Sequence, residues 1–326
     1  MLGLGSSIVH SNSVGGSFSP DDIDDLIAWY DMTDSTKIYT THTGSVNVSV
    51  NDNVGSVANK APDKTLSQAY KRFGVRAVSR DIGSGSNPSQ GGVFKGSDGI
   101  YFSGGGGAGP FLWCVNGVQG LESTVAGGQG EFSSTLLDSE NCTYFVVLKP
   151  AENTIAGGDQ GIIGFVGRNT SNDNDACMYL SRLNSNESIH VKYVWEGDDV
   201  SDDEISGTVN IGTDEQILEI WSNSTLQTDI QVEKHEVDGG SGTLVGGNLD
   251  PDEGGGVFKF TRTGAVSEIG TGTVGDAFIM GANLDETGAH DNRCFKGHIL
   301  EVLVYNDYLT QSERADVVDY LQNKHG

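Results

Sequence analysis

The residues that could do chemistry in this chain are mostly acids, and their grouping points first to hard cations. Clusters stand at Asp173-Asn-Asp175, Asp198-Asp-Val-Ser-Asp-Asp-Glu204 and Asp250-Pro-Asp252-Glu253. Calcium takes carboxylate and carbonyl oxygens from loops of this kind. The twelve-residue calcium-loop template fails, because the twelfth position counted from Asp250 is Thr261 and not Glu. Asp also favours turns and keeps loops solvated, so calcium at Asp250, Asp252 and Glu253 stays an alternative and no metal ligand is assigned. The string Gly270-Thr-Gly-Thr-Val-Gly275 has phosphate-cradle spacing, but it leads into the strand-like Asp276-Ala-Phe-Ile-Met280. No helix N-terminus then faces a phosphate, and no nucleotide is expected. The seven histidines, from His10 to His325, show neither His-x-His nor His-Glu-x-x-His spacing; they read as solvated or strand-surface residues. No Ser/His/Asp set can be assembled. Trp113, in Pro110-Phe-Leu-Trp113 and flanked by Gly-rich loops, could stack on a sugar ring or plug a neighbouring subunit; packing within its own module is the competing reading. Catalytic, cofactor-binding and metal residues are therefore all left unassigned.

The elements that would position such residues are strands. Ile189, Val191, Tyr193 and Trp195 alternate with His190 and Lys192, and Phe258-Lys-Phe260 repeats the pattern. Tyr144–Leu148, Ile217–Trp221, Ala277–Met280 and Ile299–Tyr305 are apolar almost throughout, as strands buried on both faces are. Two helices are expected. Ser19 can cap a short one that has Pro20 at its first position and Asp21, Asp22 and Asp24 at the positive end of its dipole, with Ile23, Leu26 and Ile27 on one face. It passes into a strand at Ala28-Trp29-Tyr30. Thr310-Gln-Ser-Glu313 is a capping box for the second, whose apolar stripe is Val317, Val318 and Leu321. Many strands, Gly-rich turns and two terminal helices make an all-β antiparallel sandwich.

Bulk composition narrows the partners. Against 19 Lys+Arg stand 45 Asp+Glu, a net charge of −26, which opposes both nucleic acid and anionic lipid. Glycine, 47 of 326 residues, has no three-residue period and clusters between apolar runs, as turn glycine does. No apolar run is long enough to cross a membrane, and the opening Met-Leu-Gly-Leu-Gly-Ser-Ser lacks the basic and apolar regions of a secretion signal. Cys114, Cys142, Cys177 and Cys294 are scattered, and read as small buried hydrophobes of a chain made in a reducing cytosol. The Asn-x-Ser/Thr triplets, such as that at Asn47, are then chance matches.

A family becomes visible at the C-terminus. Phe295-Lys-Gly-His-Ile-Leu-Glu-Val-Leu-Val-Tyr305, followed by Leu309-Thr-Gln-Ser-Glu-Arg314 and Tyr320-Leu-Gln-Asn-Lys324, resembles the closing segment of laminin-G-like, concanavalin A-like jelly rolls. Gly281-Ala-Asn283, Ile27-Ala-Trp29-Tyr-Asp31, Gly99-Ile-Tyr-Phe102 and Asn141–Pro150 resemble other strands of that family. The resemblance implies a jelly-roll sandwich over residues 19–326 with a Gly-rich insertion around 104–140. Glu301 then sits mid-strand between apolar neighbours, and the final helix closes one end of the sandwich. Hydrolases on this fold carry Glu-x-Asp-x-x-Glu, which sets carboxylates around a scissile bond. Here Glu236-Val-Asp238-Gly-Gly-Ser241 lacks the last acid, and Glu219 is followed by Ile, Trp and Ser, so a non-enzyme is expected.

Chains that join such a module to a leading Leu-Gly-Leu-Gly-Ser-Ser arm are similar to virion structural proteins of tailed phages, marine ones especially. That implies a displayed decoration or adhesion protein on capsid or tail, possessing other virion proteins and a host-surface glycan as partners. It also implies a homo-oligomer or multi-copy assembly that strengthens as salt screens the −26 charge. A soluble carbohydrate-binding module or an atypical glycan hydrolase is the alternative. Residues 1–18 contain no Asp, Glu, Lys or Arg, so this stretch alone can approach another protein without the body's repulsion. Deleting it should leave the sandwich folded and soluble but unable to join the particle, read by incorporation into purified particles; normal incorporation would give the arm another role.

Overall fold

The computed structural model describes residues 18–41, 44–61, 76–81, 92–105, 110–115, 141–152, 160–168, 175–182, 188–194, 202–223, 228–249, 277–282 and 294–326. Its strands are β1 (Leu26–Asp31), β2 (Ile38–Tyr39), β3 (Ser56–Ala58), β4 (Arg76–Asp81), β5 (Val93–Phe94), β6 (Ile100–Gly105), β7 (Pro110–Val115), β8 (Asn141–Pro150) and β9 (Gln160–Arg168). They continue with β10 (Asp175–Arg182), β11 (Ser188–Val194), β12 (Asp202–Asn210), β13 (Gln216–Asn223), β14 (Thr228–Glu236), β15 (Thr243–Leu249), β16 (Ala277–Met280) and β17 (Cys294–Tyr305), before a closing helix α1 (Gln311–His325). One sheet runs β15-β14-β13-β8-β17-β6-β5, with β1 added beside the far half of β17. The second runs β12-β11-β10-β9-β16-β7-β4-β3-β2. The fold is the expected all-β antiparallel sandwich with a C-terminal helix.

Two apolar layers explain the unbroken apolar strands. Between the sheets lie Tyr144, Val146 and Leu148 of β8, Leu218 and Ile220 of β13, and Val302 and Val304 of β17, against Leu112, Ile163, Leu180, Phe278 and Met280 of the second sheet. The alternate residues Phe145, Val147, Ile217, Leu303 and Tyr305 point out of the first sheet and meet Val317, Val318 and Leu321 of α1. Strands covered on both faces need apolar residues at every position, which is why they show no alternation. The helix thus lies on the outer face of the first sheet instead of capping an end of the sandwich. Its capping box forms as expected: the Thr310 hydroxyl accepts the Glu313 N–H at 3.3 Å, and the Glu313 carboxylate accepts the Thr310 N–H at 2.8 Å.

β17 holds a bulge. Against β8, Ile299 pairs with Leu148 but Glu301 pairs with Val147, so Leu300 is the extra residue. Before it Phe295 and Ile299 face the inter-sheet core; after it Val302 and Val304 do. Leu300 itself joins the layer under the helix. The bulge therefore turns Glu301 toward α1.

At the N-terminus the expected helix is only a 3-10 turn, Pro20–Asp22, with Ser19 donating its N–H to the Asp22 carboxylate at 2.9 Å. Asp25 has φ of 66°, which a continuing helix does not permit. Leu26 and Ile27 consequently fall on opposite faces of β1, one under the helix and one between the sheets. Phe18 is not part of a free arm: its ring packs edge-on to Tyr320 of α1, centroids 6.4 Å apart. Residues 1–17 of the expected arm lie outside the described residues. Within the expected Gly-rich insertion, β7 is an interior strand between β4 and β16.

Gly281, which follows β16, has φ of 89° and donates its N–H to the Ile162 carbonyl at 2.8 Å. A Cβ there would lie well inside contact distance of the buried Phe102 ring. Gly281→Ala should therefore destabilise the protein by about 1–3 kcal/mol, from backbone strain and overpacking together. Urea unfolding measures it, and unchanged stability would show that the Phe102 ring can give way.

Candidate functional site

The titratable residues that the fold brings together lie between the first sheet and α1. Glu219 of β13 stands directly across from Glu233 of β14, and Asp31 of β1 directly across from Glu301 of β17. Like charges opposite each other on one sheet face repel. Glu219 is 3% exposed and Glu301 0%, so water does little to screen them, and each needs a protein partner. The helix supplies one near each of its ends.

Near the helix start, Arg314 Nε donates to Glu219 Oε1 at 2.5 Å and its Nη1 donates to the Leu309 carbonyl at 3.0 Å. The guanidinium lies 4.2 Å from the centroid of the Trp221 ring, an arrangement favoured by the ring quadrupole. His235 Nε2 meets Glu219 Oε2 at 2.8 Å. A charged carboxylate only accepts, so this nitrogen carries the proton. Near the helix end, Lys324 Nζ donates to Asp31 and to Glu301, each at 2.7 Å. His325 Nε2 lies 2.8 Å from Glu301, and Trp29 Nε1 donates to Glu301 at 2.6 Å. Lys60 and Thr33 complete the shell of Asp31, at 2.9 and 2.7 Å. Burial pushes the Asp31 carboxyl up, but the charge and hydrogen bond of Lys324, with those of Thr33 and Lys60, overcome it and hold Asp31 well below the usual carboxylate range.

Two chemistries could be read into the first cluster. Glu219, Glu233 and His235 can each bring one ligand atom within 4.8 Å of the others, which is a metal-like donor set. Both oxygens of Glu219 are already bonded, however, and Arg314 puts a fixed positive charge where a cation would sit. Facing carboxylates could also suit glycosidic-bond cleavage. Glu219 lies beneath α1 with its proton-transfer positions filled, so no sugar oxygen can reach it. The arrangement is a clasp: it joins α1 to strands from both ends of the described chain.

Most residues singled out by sequence fall elsewhere. Asp250, Asp252, Glu253 and the Gly270–Gly275 string lie outside the described residues. Asp202, Asp203 and Glu204 are in β12, paired with β11, and not in a loop. Asp175 begins β10. Trp113 lies within β7, opposite Val78 and Ile279. Glu236 is exposed at the end of β14, 2.9 Å from Lys234. Cys142 and Cys294 are buried free thiols, as expected. His235 and His325 correct the reading of the histidines as solvated: both are buried against carboxylates, their side chains 10% and 4% exposed. Glu301 sits mid-strand as foreseen, but its helix partners were not. The available signal was a lone acid inside each of two apolar runs, Ile217-Leu-Glu-Ile-Trp221 and Ile299-Leu-Glu-Val-Leu303; a buried acid demands a base.

Removing a base exposes this dependence. Lys324→Met leaves Asp31 and Glu301 facing each other, and should cost stability at pH 7 near the low end of the about 3–5 kcal/mol of a broken buried pair, since Lys324 is 24% exposed. The pH dependence should flatten as well. In the native protein Asp31 binds its proton less readily than in the unfolded chain, so its contribution holds at neutral pH and fades as pH falls below about 4. In the variant burial still pushes the Asp31 carboxyl up, while Lys324, the strongest of the groups that hold it down, is gone, so less stability should be lost between pH 7 and pH 3 than in the native protein. Urea unfolding at the two pH values compares the losses.

No protein-family model matches the chain, and no curated protein matches it in sequence. Among solved structures, it is similar to an arabinofuranosidase complexed with arabinofuranosyl-α-1,2-xylobiose, with a TM-score of 0.52, 9% identity, and 94% of this chain and 65% of that one covered. It also matches the Ruminococcus gnavus IT-sialidase CBM40 bound to α2,3-sialyllactose (TM-score 0.37, 16% identity, 56% of this chain and 83% of that one). A third match is Trypanosoma rangeli sialidase in complex with sialic acid (TM-score 0.42, 11% identity, 92% of this chain and 34% of that one). What the chain shares with the arabinofuranosidase is its fold, a lectin-like antiparallel β-sandwich.

Proposed function

We propose that this protein is a non-enzymatic glycan-recognising module displayed on a phage particle, on capsid or tail, and held there in several copies by its N-terminal arm. The observation that carries the non-enzymatic reading is the state of Glu219: both oxygens bonded, by Arg314 and His235, under a helix. That carboxylate is committed to holding α1 in place. Saccharide is the ligand class suggested by the fold, which is shared with an arabinofuranosidase solved with a xylobiose-based sugar. The virion reading rests on the uncharged opening Leu2-Gly-Leu-Gly-Ser-Ser7 and its likeness to phage structural chains.

Two measurements test it. Mass spectrometry of purified particles should find the chain in many copies, and a glycan array should show retention of at least one saccharide with no release of reducing sugar. Absence from particles would end the virion reading in favour of a soluble carbohydrate-binding module. Turnover of an arrayed glycan would make it an atypical hydrolase.

A further inference from the structure

The helix covers only part of the outer face of the first sheet. Upstream of the Leu300 bulge, β17 pairs His298 with Tyr101 of β6 on one side and with Lys149 of β8 on the other. Lys296, two residues earlier, stands opposite Ser103. The rings of Tyr101 and His298 lie 5.0 Å apart at 54°. His298 Nδ1 donates to the Asp98 carbonyl at 2.9 Å, which fixes the imidazole and leaves Nε2 outside that bond. Lys95, just after β5, donates from Nζ to the neutral Asn51 side chain at 2.9 Å.

The charge here runs against the rest of the molecule. Lys60, Lys234, Arg314 and Lys324 each bond a carboxylate. Among the described residues, neither Lys95 nor Lys149 has a carboxylate within ion-pair distance, in a chain where acids outnumber Lys and Arg by 45 to 19. Lys149 stands across from His298 in the sheet, and Lys95 opens the turn whose Asp98 carbonyl His298 bonds, so both lysines border one ring. Burial holds the His298 imidazole below its ordinary value against the opposing pull of Asp98, and the two lysine charges add to it. Asp98 and Glu215 border the patch, and burial pushes the Glu215 carboxyl up.

We propose that this face binds the acidic sugars of a glycan, with the Tyr101 ring against the apolar side of a pyranose and Lys149 and Lys95 on its carboxylate or sulfate. It deepens the glycan reading given above and rests on it. An aromatic face meets the C–H side of a pyranose while the flanking ammonium groups meet its charge. The net charge of −26 excludes long polyanions, but at physiological salt its field is screened beyond about 8 Å, so a short acidic sugar meets only the local groups.

The test is calorimetric titration of the full chain with three probes: trigalacturonate for carboxylate, a sulfated galactose tetrasaccharide for sulfate, and uncharged galactotetraose. One or both acidic probes should bind, at least about tenfold more tightly than the neutral one. Lys149→Glu and Lys95→Glu should each weaken that binding about tenfold or more without changing the melting temperature, and Tyr101→Ala should abolish it. The probe that binds names the acidic group. The proposal is overturned if neither acidic probe binds, if both charge reversals leave binding unchanged, or if they alter self-association instead, which would make the patch a contact for an acidic surface of another copy. Binding of neutral glycans that ignores these substitutions would sink this site yet keep the broader glycan reading; failure of every glycan, on the array as well, would sink both.

Discussion

Setting carboxylates face to face on one sheet, with Glu219, Asp31 and Glu301 buried, is the constraint around which the outer half of this molecule is arranged. It happens twice, at Glu219 with Glu233 and at Asp31 with Glu301. His235 of β14 meets one oxygen of Glu219 and Lys60 meets Asp31, but the remaining charged partners come from α1, as Arg314 near its start and Lys324 near its end, ten residues apart. Between them Val317, Val318 and Leu321 supply the apolar contact. Without the helix the sheet would present apolar surface to water and leave Glu219, Asp31 and Glu301 each short of a charged partner, so α1 completes the sheet and is not an appendage to it.

This division of labour also explains how the two ends of the described chain are joined. β1 adds to β17 by backbone pairing, Trp29 reaches Glu301, and the buried Tyr305 hydroxyl donates to the Pro20 carbonyl at 3.0 Å. The open side of β1 is finished by Asn59, whose amide accepts the Trp29 N–H at 2.9 Å and donates to the Ile27 carbonyl at 3.0 Å. That side chain, with the Lys60 N–H that donates to the Trp29 carbonyl at 2.8 Å, stands in for a missing neighbouring strand. The hydrogen bonds, the apolar layer and the ion pairs all close at one place, where residues nearly 300 positions apart meet. Such contacts form only after long loops have been closed.

What could be read from sequence was whatever is local. Apolar runs such as Tyr144–Leu148 reveal strands buried on both faces, and Thr310 with Glu313 reveals the start of a helix, because each signal lies within a few residues. Which base would meet Glu219 could not be read, since Arg314 lies 95 positions away and nothing in either neighbourhood names the other. The N-terminal helix failed at Asp25, where a left-handed backbone conformation ended a plausible apolar face. That Trp113 belongs to an interior strand could not be read for a related reason. Short Gly-flanked segments carry little periodicity, and β7 is a strand because β4 and β16 pair with it on either side. The clasp was half legible, as two lone acids in apolar strands, while the lysine–tyrosine–histidine face was not legible at all: its members come from β6, β8, β17 and the turn after β5.

The Leu300 bulge divides β17 into two stretches that obey opposite rules of alternation. The odd-numbered Phe295 and Ile299 are interior, and so are the even-numbered Val302 and Val304. The strand therefore behaves like a message read in two frames: run at its present length without the bulge, it would carry Glu301 into the dry space between the sheets and move Val302 and Val304 out beneath the helix. Losing Leu300 itself would leave every later residue facing as it does now, because the extra residue is what the second frame compensates. The closing segment thus depends less on which side chain stands at position 300 than on the backbone there staying out of step with β8.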